Sequence, residues 1–157
     1  MGSRRKAREA VLKALYLCES RNFSIDEAFH EMAEIDHLIA ESADESNRGE
    51  LKPFALGLDD QQMTFAHTLA QRVYDSREQL SELIKPVLKN WDFSRIPRID
   101  RFILWIALAE MQYMHDIPVP ASMNEAIELA KKYSSYNSSS FINGVLDAVA
   151  REIGLIK

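Results

Sequence analysis

The sequence predicts an all-α bundle of six or seven helices. Two observations carry that expectation. No segment of the 157 residues shows the period-two alternation of a half-buried strand, whereas apolar residues recur three and four positions apart. Glycine, on which strand-to-strand turns draw, occurs only five times.

The length fits one domain or two small half-domains. An apolar fraction of 46% beside 27% charged residues is that of a soluble globular chain. The longest apolar run, residues 102–114, contains Glu110 and is too short to span a bilayer, so no membrane contact is expected. Arg4, Arg5, Lys6 and Arg8 lead into an amphipathic pattern, which is not how a signal peptide opens. The single Cys18 has no internal disulfide partner and falls on an apolar helix face, which predicts a core thiol in a reducing cytoplasm.

The first helix is expected over residues 3–20, with Ala7, Val11, Ala14, Leu15 and Cys18 as its inner stripe. Arg5, Lys13 and Tyr16 fall on the opposite side, with Leu12 beside them. A second helix starts near Ser24, where Ser24 and Glu27 have capping-box spacing, and Ala28, Met32, Ile35 and Ile39 carry it to about residue 40. Residues 41–58 mix Ser, Asn, Gly and Pro with Glu41, Asp44, Glu45 and Glu50, the composition of a mobile loop or short irregular insertion.

Asp59 or Asp60 caps a third helix with Phe65, Leu69 and Val73 inward. Asp75-Ser76 reads as a break and a new cap, after which Leu80, Leu83, Ile84, Val87 and Leu88 continue the pattern and Pro86 bends or ends it. One kinked helix and two separate ones both fit residues 60–90. Residues 92–97 form a turn. Residues 98–115 make the most apolar helix, with Ile99, Phe102, Ile103, Ile106, Leu108 and Ala109 on one side and Leu104 and Trp105 on others, which places it centrally.

Pro118 and Pro120 separate that helix from PVPASMNEAIELAKKYSSYNSSSFINGVLDA, which reads as two helices around a serine-rich hinge. Ser122 and Glu125 again have capping-box spacing, and Met123, Ile127, Ala130 and Tyr133 follow at helical intervals. Phe141, Val145, Leu146 and Val149 form the last apolar series, with one of residues 137–140 as its cap.

Charge is distributed unevenly. The net charge of −5 combines +4 over residues 1–13 with −9 over residues 26–60, where eleven acids face only Arg48 and Lys52. A charge-sensitive partner therefore meets the N-terminus and avoids the acidic segment. An outward Tyr16 among cations suits base stacking beside phosphate contacts; packing of Tyr16 and Leu12 against a later helix is the other reading. Residues 134–140 hold no carboxylate and run into a helix N-terminus, where unpaired N–H groups favour anions. An anion-binding edge and an ordinary connector both fit this hinge, as core residue and stacking platform both fit Phe141.

The parts of an enzyme are missing. There is no GxxxxGK[ST] or GxGxxG loop, and no cysteine–histidine cluster for a metal. His30-Glu31 begins like a zinc-protease helix, but Glu34 stands where the second histidine belongs, and His30 and His37 read as surface residues. Asp100 and Glu110, on the most apolar helix, suit structural ion pairs with Arg101 or Lys131 better than acid–base work. No cofactor, metal or catalytic residue is expected.

The segments IDRFILWIALAEMQYMHDIPVPASMNEAIELAKKY and FINGVLDAVA, with the arginine-rich opening RRKAREAVLKALY, resemble the bacterial transcription antitermination factor NusB family. The resemblance covers nearly the whole chain except residues 36–58. It implies two packed helical subdomains: residues 1–77, with the arginine-rich helix and the acidic insertion at about 41–58, and residues 78–157. It also implies binding of boxA RNA jointly with the ribosomal protein NusE, with other elongation factors and RNA polymerase engaged indirectly. By the same resemblance Arg4, Arg5, Lys6 and Arg8 contact RNA, and Asn137, Ser138, Ser139, Phe141 and Asn143 lie on the same surface. Arg98, Asp100 and Arg101 are candidates for the ribosomal-protein contact. The chain departs from the family at Asn137, commonly Asp; at Ser140, often basic; and at Ser134, commonly Gly.

Two other classes compete with an antitermination factor. An RNA-independent adaptor would bind the ribosomal protein with its N-terminal cations idle. An RNA-binding domain of the kind found in some RNA methyltransferases would precede a catalytic α/β domain, and the sequence ends at Lys157 without one.

Overall fold

The structure, a computed structural model, describes residues 2–41, 57–135 and 137–157, with side chains left aside at 2, 3, 39 and 40. Most of the expected insertion, residues 42–56, lies outside the described residues. The fold is all-α. Its helices are α1 (Gly2–Arg21), α2 (Ile25–Glu41), α3 (Asp60–Ile84), α4 (Arg98–Tyr113), α5 (Val119–Tyr133) and α6 (Ser138–Glu152), with 3-10 turns at Lys85–Val87 and Phe93–Arg95. No strand occurs among the described residues, and no helix among them is long and apolar enough to cross a membrane. The chain divides into two compact units, Met1–Gln71 and Arg72–Lys157, so the boundary falls inside α3, whereas the resemblance sets it after residue 77.

In the first unit, Ala7, Val11, Ala14, Leu15 and Cys18 are buried as their spacing predicts. Leu12, expected on the outer side, is buried as well, because α1 also buries Ala10 and Leu17 and is covered over more than one stripe. Asn22, with φ +56, ends α1 in the left-handed conformation that asparagine tolerates. Ser24 and Glu27 then close a reciprocal capping box: the Glu27 N–H donates to Ser24 Oγ at 3.1 Å and the Ser24 N–H to Glu27 Oε1 at 3.2 Å. Asp59 and Gln62 repeat the device at the start of α3, at 2.8 and 2.9 Å. Just before it, Gly57 takes φ +56 and donates its N–H to an Asp36 carboxylate oxygen at 3.1 Å. Between α2 and α3, His67 Nε2 lies 2.7 Å from Asp26 Oδ1, and the Phe29 and His67 rings meet edge-on at 5.4 Å. Met32 and Leu69 are fully enclosed, each contributing about 1.5–3 kcal/mol by leaving water.

The second unit corrects two expectations. Asp75-Ser76 is not a break: α3 runs unbroken to Ile84. Residues of this type cost only a few tenths of a kcal/mol in a helix, and buried Val73, Ser76 and Leu80 hold the helix through this segment. Pro86, which has no N–H for the α-ladder, converts the chain to a 3-10 turn. Nor does the next-to-last helix begin at Ser122. It starts three residues earlier, after Pro118, with Pro120 in the first turn, where a missing N–H costs nothing. The Ser122 hydroxyl instead donates to Glu110 Oε1 at 2.9 Å, both groups being buried.

Within this unit α4 is the central helix. It buries every residue from Phe102 to Met111, together with Asp100, and it contacts both α5 and α6, which contact each other. Trp105 Nε1 donates to Ser81 Oγ at 2.9 Å, satisfying the one polar atom of a buried indole. At the far end of α6, Gly154 takes φ +80, and the bonds Leu155 N–H to Ala150 O at 2.8 Å and Gly154 N–H to Arg151 O at 3.2 Å make a Schellman stop.

Candidate nucleic-acid interface

On α1 the four N-terminal cations split into two groups. Arg4, Arg5 and Lys6 are exposed, whereas Arg8 is only 3% exposed. The Arg4 and Arg8 guanidinium carbons lie 4.8 and 5.6 Å from the Phe65 ring centroid, so α3 supplies an aromatic face against which both arginines are held. No acidic residue occupies the first turn of α1. Tyr16, about three turns further on, is 42% exposed.

The serine-rich hinge is held from beneath by a buried carboxylate. Asp100, 2% exposed, accepts the Ser138 hydroxyl on Oδ2 at 2.9 Å and the Ser134 hydroxyl on Oδ1. Each serine has one proton, so both are committed to the carboxylate, and the Ser135 hydroxyl supplies the donor for its 2.8 Å contact with Ser138 Oγ. Asp100 and Glu110 therefore share one design: a carboxylate buried on α4 whose described partner is a serine hydroxyl from α5 or the hinge. Asn137 stands at the N-cap position of α6, yet its side chain makes no capping bond and is exposed. Ser139 and Phe141 are half-buried and Asn143 is exposed.

Phe141 meets a neighbour that its own helix does not supply. The Trp91 ring lies 5.8 Å away, tilted by 53°, and Trp91 is 57% exposed. Its turn is fixed by Asp92, which accepts the Ser94 N–H on Oδ1 at 3.0 Å. That backbone bond, then the Ser94 hydroxyl, with a smaller contribution from the Arg95 charge, holds the Asp92 carboxyl below its ordinary value. A recess of about 360 Å³ borders the Trp91–Phe141 pair, lined also by Arg95, Pro97, Asn137 and Ser138 among others. A second, of about 340 Å³, is also lined by both rings, together with Lys89 and Gly144 among others.

Of the residues expected to meet a ribosomal protein, Arg98 is exposed, Asp100 is turned inward to the serines, and Arg101 lies half-buried with its guanidinium 5.1 Å from the Trp105 ring centroid. Among the described residues, no group of three or more His, Cys, Asp or Glu side chains is placed to hold a metal ion.

The sequence profile described as the NusB family matches residues 5–151. The chain belongs to the NusB family. It is 36% identical over 150 residues to the transcription antitermination protein NusB of Myxococcus xanthus, covering 96% of each chain. To the protein of the same name from Bacillus subtilis it is 35% identical over 150 residues, again 96% of each. Among solved structures it is similar to NusB of T. maritima, with TM-score 0.70 and 29% identity over 95% of this chain and 91% of that one. It also shares its fold with NusB from Aquifex aeolicus, solved in solution (TM-score 0.72, 23% identity, 100% and 94% coverage). A chain in a crystal structure of a plectonemic RNA supercoil has the same fold, with TM-score 0.78, 22% identity and full coverage of both.

Sequence reasoning did not single out Trp91, which the fold sets against Phe141. Its signal was present: an aromatic between Lys89 and Arg95, in a turn bounded by Pro86 and Pro97. Its pairing with Phe141 is a tertiary contact that no local spacing encodes.

Proposed function

We propose that this protein is a transcription antitermination factor that binds single-stranded, boxA-type RNA together with the ribosomal protein NusE. In this reading it acts in the bacterial cytoplasm by binding rather than by catalysis, and reaches RNA polymerase and other elongation factors through that complex. The observation that carries the reading is the exposed row Arg4, Arg5 and Lys6, in a chain of net charge −5 that belongs to the NusB family. Three exposed cations near the start of a helix whose first turn holds no acidic residue suit phosphate contacts. Arg8, buried where its three neighbours are exposed, anchors the row rather than joining it. Asn137, Ser139 and Asn143 offer amide and hydroxyl groups to RNA, Ser138 and Asp100 shape the hinge that presents them, and Phe141 takes part through its exposed edge. Tyr16 is a further stacking group. Arg98 and Arg101 are assigned to the ribosomal protein.

The test is a titration of labelled boxA RNA, with and without NusE, across a range of salt. Binding should strengthen when NusE is present and weaken with salt, the log–log slope growing by about 0.7 for each phosphate contacted. RNA binding that is absent under both conditions, with NusE still bound, would assign the protein to the adaptor class.

A further inference from the structure

We propose that Trp91, backed by Phe141, is a stacking platform for one unpaired base of single-stranded RNA. This inference rests on the RNA-binding reading and adds to it a residue and a mode of contact. An indole left 57% exposed is unusual beside Trp105, which the same unit buries to 6%. Trp91 is nonetheless held in place: Phe141 supports it from α6, and the Asp92–Ser94 bond fixes the turn that follows it. A rigid aromatic with open surface presents a π-face on which any base can stack.

The surroundings select the ligand. The two recesses that the pair lines, of about 360 and 340 Å³, fall in the range of small-ligand sites, roughly 300–1,000 Å³, and each has room for a base. Arg95 lines one recess and Lys89 the other. The carboxylate in the first, Asp100, is turned to Ser134 and Ser138 and nearly sealed from solvent, so Arg95 is the charged lining group that the recess presents to solvent. Exposed Asn137 and Ser135 add hydrogen-bonding groups at the rim for a base edge. An aromatic platform, a cation lining each recess and amide and hydroxyl groups at the rim match a polyanion with flat rings more closely than they match an apolar peptide. In the second recess, a Cβ built on Gly144 would meet nothing within 4 Å, so that wall of the recess is open and can be filled by substitution.

The experiment titrates an unstructured boxA-type oligonucleotide into the full chain and into Trp91→Ala, Trp91→Phe and Gly144→Met, following anisotropy at several salt concentrations and tryptophan emission. Trp91→Ala should weaken binding about tenfold, the scale of one lost base stack, and Trp91→Phe should restore most of the loss. The salt slope should stay that of the parent, because no cation is removed. Parent emission should be quenched by RNA, and the quenching should vanish in Trp91→Phe, where only the enclosed Trp105 remains. Gly144→Met, which narrows one recess in a helix that tolerates methionine, should weaken RNA binding while its melting temperature holds or rises. If the parent binds RNA with a normal salt slope but Trp91→Ala binds equally well and emission does not change, the platform is overturned and the RNA reading stands. If the parent binds no RNA at any salt, both fall. If Trp91→Ala leaves RNA binding intact and instead abolishes binding of NusE, the surface is a protein contact and the proposal is wrong. Unchanged far-UV circular dichroism in Trp91→Ala excludes misfolding as the cause of a loss.

Discussion

The Ser138 hydroxyl donates to Asp100 Oδ2 at 2.9 Å, tying the first turn of α6 to the buried face of α4. With Ser134 on the other carboxylate oxygen, Asp100 closes both ends of the hinge over one anchor. A segment whose composition suggests a flexible linker is thereby held to one geometry. Asp100 and Ser138 should couple energetically. Asp100→Asn and Ser138→Ala are each expected to lower stability by about 1–3 kcal/mol, the cost of a buried polar group that loses its partner. The double variant should lose less than the sum, with a coupling of at least about 0.5 kcal/mol. Denaturant midpoints of the four proteins measure it, and strict additivity would show that the bond is incidental.

The same logic separates Arg8 from its neighbours. Arg4, Arg5 and Lys6 reach solvent, so replacing all three by Ala should cost only about 0.5–1 kcal/mol of stability, through the lost Arg4 contact with Phe65, and reduce the RNA salt slope by roughly two units, at about 0.7 per phosphate contact. Arg8→Ala should do the reverse. It removes a buried guanidinium from the Phe65 ring and should cost on the order of 1–2 kcal/mol of stability, with the slope little altered. Salt-dependent titrations and thermal melts on the two variants check this, and an Arg8→Ala slope as shallow as that of the triple variant would refute it.

What the sequence disclosed depended on range. Ser24 with Glu27 and the cap at Asp59 were readable because both partners lie within one turn. Ser122 with Glu125 has the same spacing and a different fate, because Glu110 on another helix takes the hydroxyl. The apolar stripes of α1 and α4 were readable from period alone, but a burial as wide as that of α1, which takes in Leu12 and Arg8, depends on which helices arrive later. For the candidate site the divide is similar. Cation density marked Arg4, Arg5 and Lys6, and the hinge stood out by its lack of acid. The inward turn of Asp100 and the pairing of Trp91 with Phe141 are tertiary events, which neither composition nor periodicity records.

Asp92 gives the turn beside Trp91 a defined pH response. Its carboxyl lies below the ordinary value of 3.8, first because of the Ser94 N–H and second because of the Ser94 hydroxyl. A lowered folded value means that the stabilisation is complete above the unfolded value and is lost as pH falls through the folded one. In an NMR titration Asp92 should therefore reach its midpoint below 3.8, and Ser94→Ala, which keeps the backbone donor, should move that midpoint only part of the way back. Asp92→Asn should remove this component of the acid sensitivity of the turn. A parent midpoint at or above 3.8 would mean that the bond is not made in solution.

Asn137 offers the sharpest test of the hinge as an RNA edge, because it can gain a charge without losing a contact. Its side chain makes no capping bond and is exposed at the first turn of α6, so Asn137→Asp changes charge with little change of shape. The helix N-terminus favours a carboxylate there, and Asp is a good capping residue, so the melting temperature should hold or rise slightly. A phosphate near the same terminus would meet a like charge, and RNA binding at low salt should weaken by about 1 kcal/mol, the scale of one charge at a helix end. The penalty should shrink as salt rises and the Debye length contracts. An aspartate that raises stability while leaving boxA affinity at low salt equal to that of the parent would make residues 134–140 a connector and move the RNA path away from them.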